Sequence, residues 1–160
     1  MRPLWAALVA LAVIAPPLAA QNAEPTHAQH LKPVPLTIVT SRGPVRYSIE
    51  VARSPEEQEI GLMFRTTMPA KHGMIFPMDP PRMATFWMRN TLISLDLLFL
   101  RPDGTISSIA ANAPTRSDGI IASIEPVAAV LELNAGVAAR RGIKAGDRVR
   151  IGRASCRERV

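Results

Sequence analysis

Cysteine, histidine and aromatic residues are all scarce in this chain. A single cysteine, Cys156, cannot close an internal disulfide, and three histidines, His27, His30 and His72, are too few and too scattered for a zinc site. A Gly-x-Ser-x-Gly elbow, a phosphate loop, a dinucleotide fingerprint and a His-Glu-x-x-His pair are also missing. Those absences exclude the commonest signatures of nucleophilic, nucleotide-dependent and metalloprotease chemistry, and no cofactor is expected. With aromatics at 4%, the core has to be built from aliphatic and thioether side chains. Proline is plentiful, at 15 of 160 residues, and methionine reaches 7. The balance of 48% hydrophobic to 20% charged residues is that of one globular, turn-rich domain.

Long hydrophobic runs are missing as well. The longest apolar stretch, Leu4 to Ala15, is about 12 residues, against roughly 20 for a membrane-spanning helix. It follows Arg2 and precedes Pro16-Pro17 and Leu18-Ala19-Ala20, which is the order of a secretory signal cleaved after Ala20. Residues 1–20 are therefore expected to be a signal peptide and the mature protein to be periplasmic or secreted, with no transmembrane segment after cleavage. Residues 21–35 are polar and proline-bearing, without periodicity, and are expected to form a flexible leader. At the other end, residues 151–160 show neither alternation nor amphipathic spacing. They resemble one reading frame of a sequencing-adapter oligonucleotide and are expected to be a non-native tail.

Setting aside residues 1–20 removes one positive charge, and setting aside 151–160 removes three positives and one negative. The formal charge then falls from +6 to +3. The basic character is largely terminal, so no nucleic-acid partner is expected. Cys156 goes with the tail, and a cysteine-free domain suits an oxidising envelope. Nothing in the sequence sets an oligomeric state.

Between residues 36 and 150 the pattern is that of short strands. Leu36–Thr40 and Val45–Val51, alternating and rich in β-branched residues across Gly43-Pro44, predict a hairpin. Ser54-Pro55-Glu56-Glu57 supplies a helix cap, a proline at the first helical position and a glutamate at the third, which predicts a short helix running toward Met63. Prolines 69, 77, 80 and 81 break the middle into pieces, with Gly73–Phe76 and Ala84–Arg89 as strand candidates. Leu95–Leu100 and Thr105–Ala110, joined by Pro102-Asp103-Gly104, predict a second hairpin. Ala128–Leu133 reads as a strand. Asn134 is then expected to cap a helix from Ala135 to Arg141 that ends at Gly142, before a last strand from Arg148. The fold class is mainly β: a compact single-domain sandwich or barrel with two short helices.

Several strings in this region stand in a familiar order: Gly61-Leu62-Met63-Phe64-Arg65, Gly73-Met74-Ile75-Phe76, Phe86-Trp87-Met88-Arg89-Asn90-Thr91, Leu95-Asp96, Leu131-Glu132 and Gly142-Ile143 with Gly146-Asp147. Through them the chain resembles domain-of-unknown-function family 192, a bacterial and archaeal family, over about Leu36 to Val149. Arg89 stands where lysine is common and Ser94 where proline is common, changes that keep the charge and the turn. The resemblance implies a compact, mostly β fold, often behind a secretion signal, and no established activity.

Strand alternation puts Phe86 and Met88 on one face and Trp87 and Arg89 on the other. Asp96 interrupts an apolar run, where an aspartate is costly to bury unless it is paired or hydrogen-bonded. One reading gathers Arg65, Trp87, Arg89, Asn90 and Asp96 around a ligand pocket, with the indole as platform and the polar groups as anchors for a small polar molecule or a glycan. The other has Asp96 accepting backbone N–H bonds or pairing with Arg65 or Arg89, while Asn90 organises the connection. A carboxylate pair among Glu50, Asp96, Glu125 and Glu132 can perform acid–base work on an envelope saccharide if its separation suits. Met63, Met68, Met74, Met78, Met83 and Met88, with His72 among them, offer ligands to Cu(I), but lack the short repeat of a dedicated copper motif and serve equally as core. The expected function is binding of a small polar ligand or glycan in the cell envelope. An envelope-saccharide enzyme, a structural or interaction module and a copper-binding protein stand as alternatives.

Overall fold

A computed structural model of the chain describes residues 25–152. The expected signal peptide, residues 21–24 of the expected leader and residues 153–160 of the expected tail lie outside the described residues. The first hairpin forms where alternation places it. Strands β1 (Val34–Thr40) and β2 (Gly43–Val51) pair antiparallel from Val34 opposite Ile49 to Thr40 opposite Gly43. Leu36, Ile38, Tyr47 and Ile49 face the core. Helix α1 (Pro55–Ile60) begins as its sequence dictates: the Ser54 hydroxyl accepts the Glu57 N–H while the Glu57 carboxylate accepts the Ser54 N–H. It stops earlier than expected, because Gly61 adopts a φ of 49° and its N–H bonds back to the Glu57 carbonyl.

Strand β3 spans His72–Arg82, straight through the prolines that suggested turns. It runs parallel to β2 (Ser48 opposite His72 to Val51 opposite Ile75) and antiparallel to β8 (Val127–Asn134). Its register with β8 shifts between Pro77 and Arg82, so the prolines fall where the ladder is already irregular. Strand β4 is only Thr85–Phe86 and pairs with β7 (Ile121–Ala122) in a separate two-stranded flap. Trp87 to Arg89 are therefore not strand. The Met88 N–H donates to the Ser117 carbonyl, and the chain turns through Asn90 at a φ of 56°.

Strand β5 (Leu95–Leu100) lies between β8 and β6 (Ile106–Ala113), and all six of its residues are buried because the sheet is covered on both faces there. The second helix, α2 (Val137–Arg141), starts two residues later than expected, after Gly136, with no cap from its own neighbourhood. Its end at Gly142 is as the sequence indicates, with φ at 68°. Strand β9 (Arg148–Ile151) returns to pair with β1. It includes Ile151, opposite Leu36, and the Gly152 N–H reaches the Pro35 carbonyl, so these two residues continue the ladder past the boundary read from the sequence.

Among the described residues seven strands form one sheet in the order β6-β5-β8-β3-β2-β1-β9. The sheet curls until its outer strands meet: Thr105 bridges Arg148, the Ile106 N–H donates to the Asp147 carbonyl and the Val149 N–H to the Gly104 carbonyl. The protein is thus a mainly β domain, a curled half-barrel with two short helices. One face of the sheet carries Leu36, Ile38, Ile49, Ile75, Leu98, Leu131 and Leu133, closed by Val137, Ala138 and Ile143. The other carries Met74, Phe76, Leu97, Phe99 and Val130, covered by Leu62, Met68, Ala84 and Met88.

The segment read as a flexible leader is fastened across this second face. The Gln29 side-chain amide donates to the carbonyls of Glu57 and Gly61, the Leu31 N–H donates to Glu50, and Leu31 packs against the second core. Polar side chains that bond to distant backbone leave no period for a sequence reading to detect.

Candidate functional site

Register decides which carboxylate reaches a cavity. On β8, Leu131 and Leu133 enter the first core, so Glu132 between them points to the second face, opposite Met74 of β3 and Leu97 of β5. There a cleft of about 520 Å³ opens between α1, the end of β3 and the β4–β7 flap. Met63, Met78, Phe76, Phe86 and Trp87 form its walls, and Glu132 lies among its lining residues. Phe76 and Phe86 meet edge to face, with centroids 5.2 Å apart. Glu59 of α1 and Arg82 of β3 are the other charge-bearing residues of the lining.

Glu132 is only 5% exposed, and among the described residues no hydrogen bond or ion pair holds its carboxyl. Burial without a partner disfavours the charged form and pushes its pKa up to about 8. At neutral pH it is chiefly a neutral acid inside an apolar cleft, able to donate a hydrogen bond or to release a proton to an arriving base.

The residues proposed from sequence as one pocket occupy different places. Asp96 is fully buried on the opposite face of the sheet, where one oxygen accepts the N–H groups of Asn112 and Gly136 at 2.9 and 3.0 Å and the other accepts that of Ala138 at 2.9 Å. It caps α2 from a neighbouring strand, which is the backbone-bonded alternative weighed above. Arg65 grips Glu50 with two bonds of 2.7 Å, and the same guanidinium holds the Gln29 carbonyl. Burial alone raises the Glu50 pKa, but the hydrogen bonds from Arg65 and the Leu31 N–H outweigh it and hold the carboxylate below its usual range. Arg89 lies 4.6 Å over the Trp87 ring and bonds Asp118 at 2.8 Å. Asn90 serves the turn, its carbonyl accepting the Phe64 N–H. Trp87 and Arg89 are thus brought together, Trp87 alone of the five lines the cleft, and Arg65 and Asp96 belong to the framework.

The carboxylate pair suggested from sequence is likewise dispersed. Glu50 is held by Arg65, Asp96 by backbone, and Glu125 by Ser107 and Arg101. Glu132 alone of the four lines the cleft. Of the methionines, Met68, Met74 and Met88 are core, Met63 and Met78 are buried and also line the cleft, and Met83 lines it from an exposed position. Among the described residues no three His, Cys, Asp or Glu side chains cluster as a metal site. Nor is any helix among them long and apolar enough to cross a membrane.

A curled mainly β domain with an apolar cleft over one buried acid is the class that fold and site define. The chain belongs to domain-of-unknown-function family 192, described as Uncharacterized ACR, whose model matches residues 37–151. Two crystal structures are similar to it. A protein of unknown function from Novosphingobium aromaticivorans DSM 12444 is 44% identical with a TM-score of 0.74, covering 85% of this chain and 99% of its own. A protein of Sinorhizobium meliloti 1021, provisionally described as a transcription regulator, is 40% identical with a TM-score of 0.72, covering 79% of this chain and 97% of its own. No curated protein matches the chain.

Proposed function

We propose that this protein is exported to the cell envelope and there binds a small molecule in the cleft above Glu132. The observation that carries the reading is the unpartnered acid. A buried carboxyl without a partner works against stability, and such groups concentrate where a ligand or a reaction uses them. The surroundings support a ligand with one polar group on an apolar body rather than an extended glycan. The cleft is walled by aromatic rings and thioethers, and its size is that of small-molecule sites. Saccharide hydrolysis has less support, since the usual mechanism needs two facing carboxyl groups and the only other carboxylate of the lining is Glu59, on α1. Nucleic acid is not the ligand proposed, because Arg65 and Arg89 are both engaged by carboxylates.

Thermal shift of the mature protein against envelope metabolites, short saccharides and amines tests the binding. A ligand at 100 times its Kd is expected to add about 2.7 kcal/mol of stability, lost in Trp87→Ala and Glu132→Gln variants that still fold. No ligand-induced shift from any class would overturn the reading. N-terminal sequencing of protein recovered from the envelope is expected to begin at Gln21, and recovery only from the cytoplasm would refute export.

A further inference from the structure

We infer that the ligand of this cleft is a small organic amine, an ammonium group on an apolar body, whose positive charge is met by the Glu132 carboxylate. The inference rests on the binding proposed above and names its chemical class. Glu132 is nine-tenths buried, unpartnered and part of the cleft lining. An ionised carboxylate there lacks a counterion, and a cationic ligand supplies one inside walls that water screens poorly. The walls suit the same charge. Phe76, Phe86 and Trp87 present aromatic rings whose faces attract cations, and Trp87 already carries the Arg89 guanidinium at 4.6 Å. Met63 and Met78 add polarizable sulfur to the lining.

Other ligand classes fit less well. An anionic head group finds a positive charge in the lining only in Arg82 and meets a second acid there, Glu59. An alcohol accepts one hydrogen bond from the protonated acid and gains nothing from the ring faces as a cation does. The charged groups lining the cleft besides Glu132 are Glu59 of α1 and Arg82 of β3, and Met74 and Leu97 flank Glu132 on the adjacent strands. The amine arrives as ammonium, the acid is chiefly protonated at neutral pH, and formation of the ammonium–carboxylate pair sends one proton to solvent.

Three matched probes test this on the mature protein: 2-phenylethylamine, 2-phenylethanol and phenylacetate, by calorimetry in buffers of different ionisation heat. The amine is expected to bind at least about tenfold tighter than the alcohol and to release close to one proton. Its affinity should rise about tenfold per pH unit from pH 6 toward 8 and then level. Glu132→Gln should remove both the preference and the pH slope. If that variant fails to fold, the Glu132 carboxyl carbon resonance of the wild-type protein reads the same event, and it should move to the ionised position when the amine is added at pH 7. Equal binding of amine and alcohol, or tightest binding of phenylacetate, overturns the amine while leaving a small-molecule site. Amine binding unaffected by Glu132→Gln also overturns it, as does stoichiometric Cu(I) held by the methionines while the amine is ignored. Failure of all three probes together with the wider screen overturns both readings.

Discussion

Asp96 and Glu132 are two buried acids on adjacent strands with opposite fates. Asp96 is surrounded by three backbone N–H donors, so its burial is compensated. Asp96→Asn replaces one acceptor oxygen by an amide donor facing N–H groups and is expected to cost about 3 kcal/mol, read as a lowered urea midpoint at unchanged slope. Glu132 has no such donors, and its raised pKa means that the folded state holds a proton the unfolded chain has lost. Its contribution to stability is complete below the ordinary carboxylate range and is lost as pH rises toward about 8, at about 1.4 kcal/mol per unit. Glu132→Gln is expected to flatten that slope and to be more stable than wild type at pH 8, measured by denaturation across pH. A variant less stable than wild type at pH 8 would show that a partner compensates the acid. Both residues interrupt apolar runs and carry the same sequence signal, yet which one opens to a cavity depends on strand register, a property of three strands and not of one.

Among the elements, those built from near neighbours were legible and those built from distant ones were not. The β1–β2 hairpin, the Ser54 cap and the Gly142 stop each depend on residues a few positions apart, and each forms where expected. The cap of α2 comes instead from Asp96, 40 residues before Gly136, and no local pattern announces it. The same holds for the strap around Gln29, which the Arg65–Glu50 pair fastens to the second face of the sheet. Arg65→Met leaves Glu50 buried and unpaired and is expected to cost about 3 to 5 kcal/mol, and less in a double variant with Glu50→Gln. Because the Glu50 pKa is lowered, its contribution is full above the ordinary carboxylate range and is lost as pH falls through the folded value. Hydrogen exchange at Leu31 is therefore expected to accelerate in acid before global unfolding, and unchanged protection would separate the strap from the pair.

The whole molecule depends on a closure that neither hairpin contains. The curled sheet is completed where the turn after β5 meets β9, and Gly104 sits there at a φ of 80°. A Cβ at this position would lie 2.7 Å from the Val149 carbonyl oxygen, which is backbone and cannot swing away. Gly104→Ala is expected to cost about 2 kcal/mol or more and to weaken protection of the Val149 amide before that of β8, read by hydrogen exchange. The mainly β class and its strand positions followed from composition and alternation, but sandwich and barrel share that pattern. Pairing between the far ends of the chain distinguishes them. Pairing likewise determined the site: the cleft assembles α1, β3, the flap and β8, which are scattered between Pro55 and Glu132.

The cleft divides its chemistry between two kinds of structure. Its acid stands on a central strand gripped by ladders on both sides, while Met63, Met83, Trp87 and Ile120 sit on excursions between strands. The acid is therefore held in place by pairing that those excursions do not share. Exchanging the excursions offers a route to new ligand preferences on an unaltered frame, with the proton-bearing group as the fixed point about which specificity is redrawn.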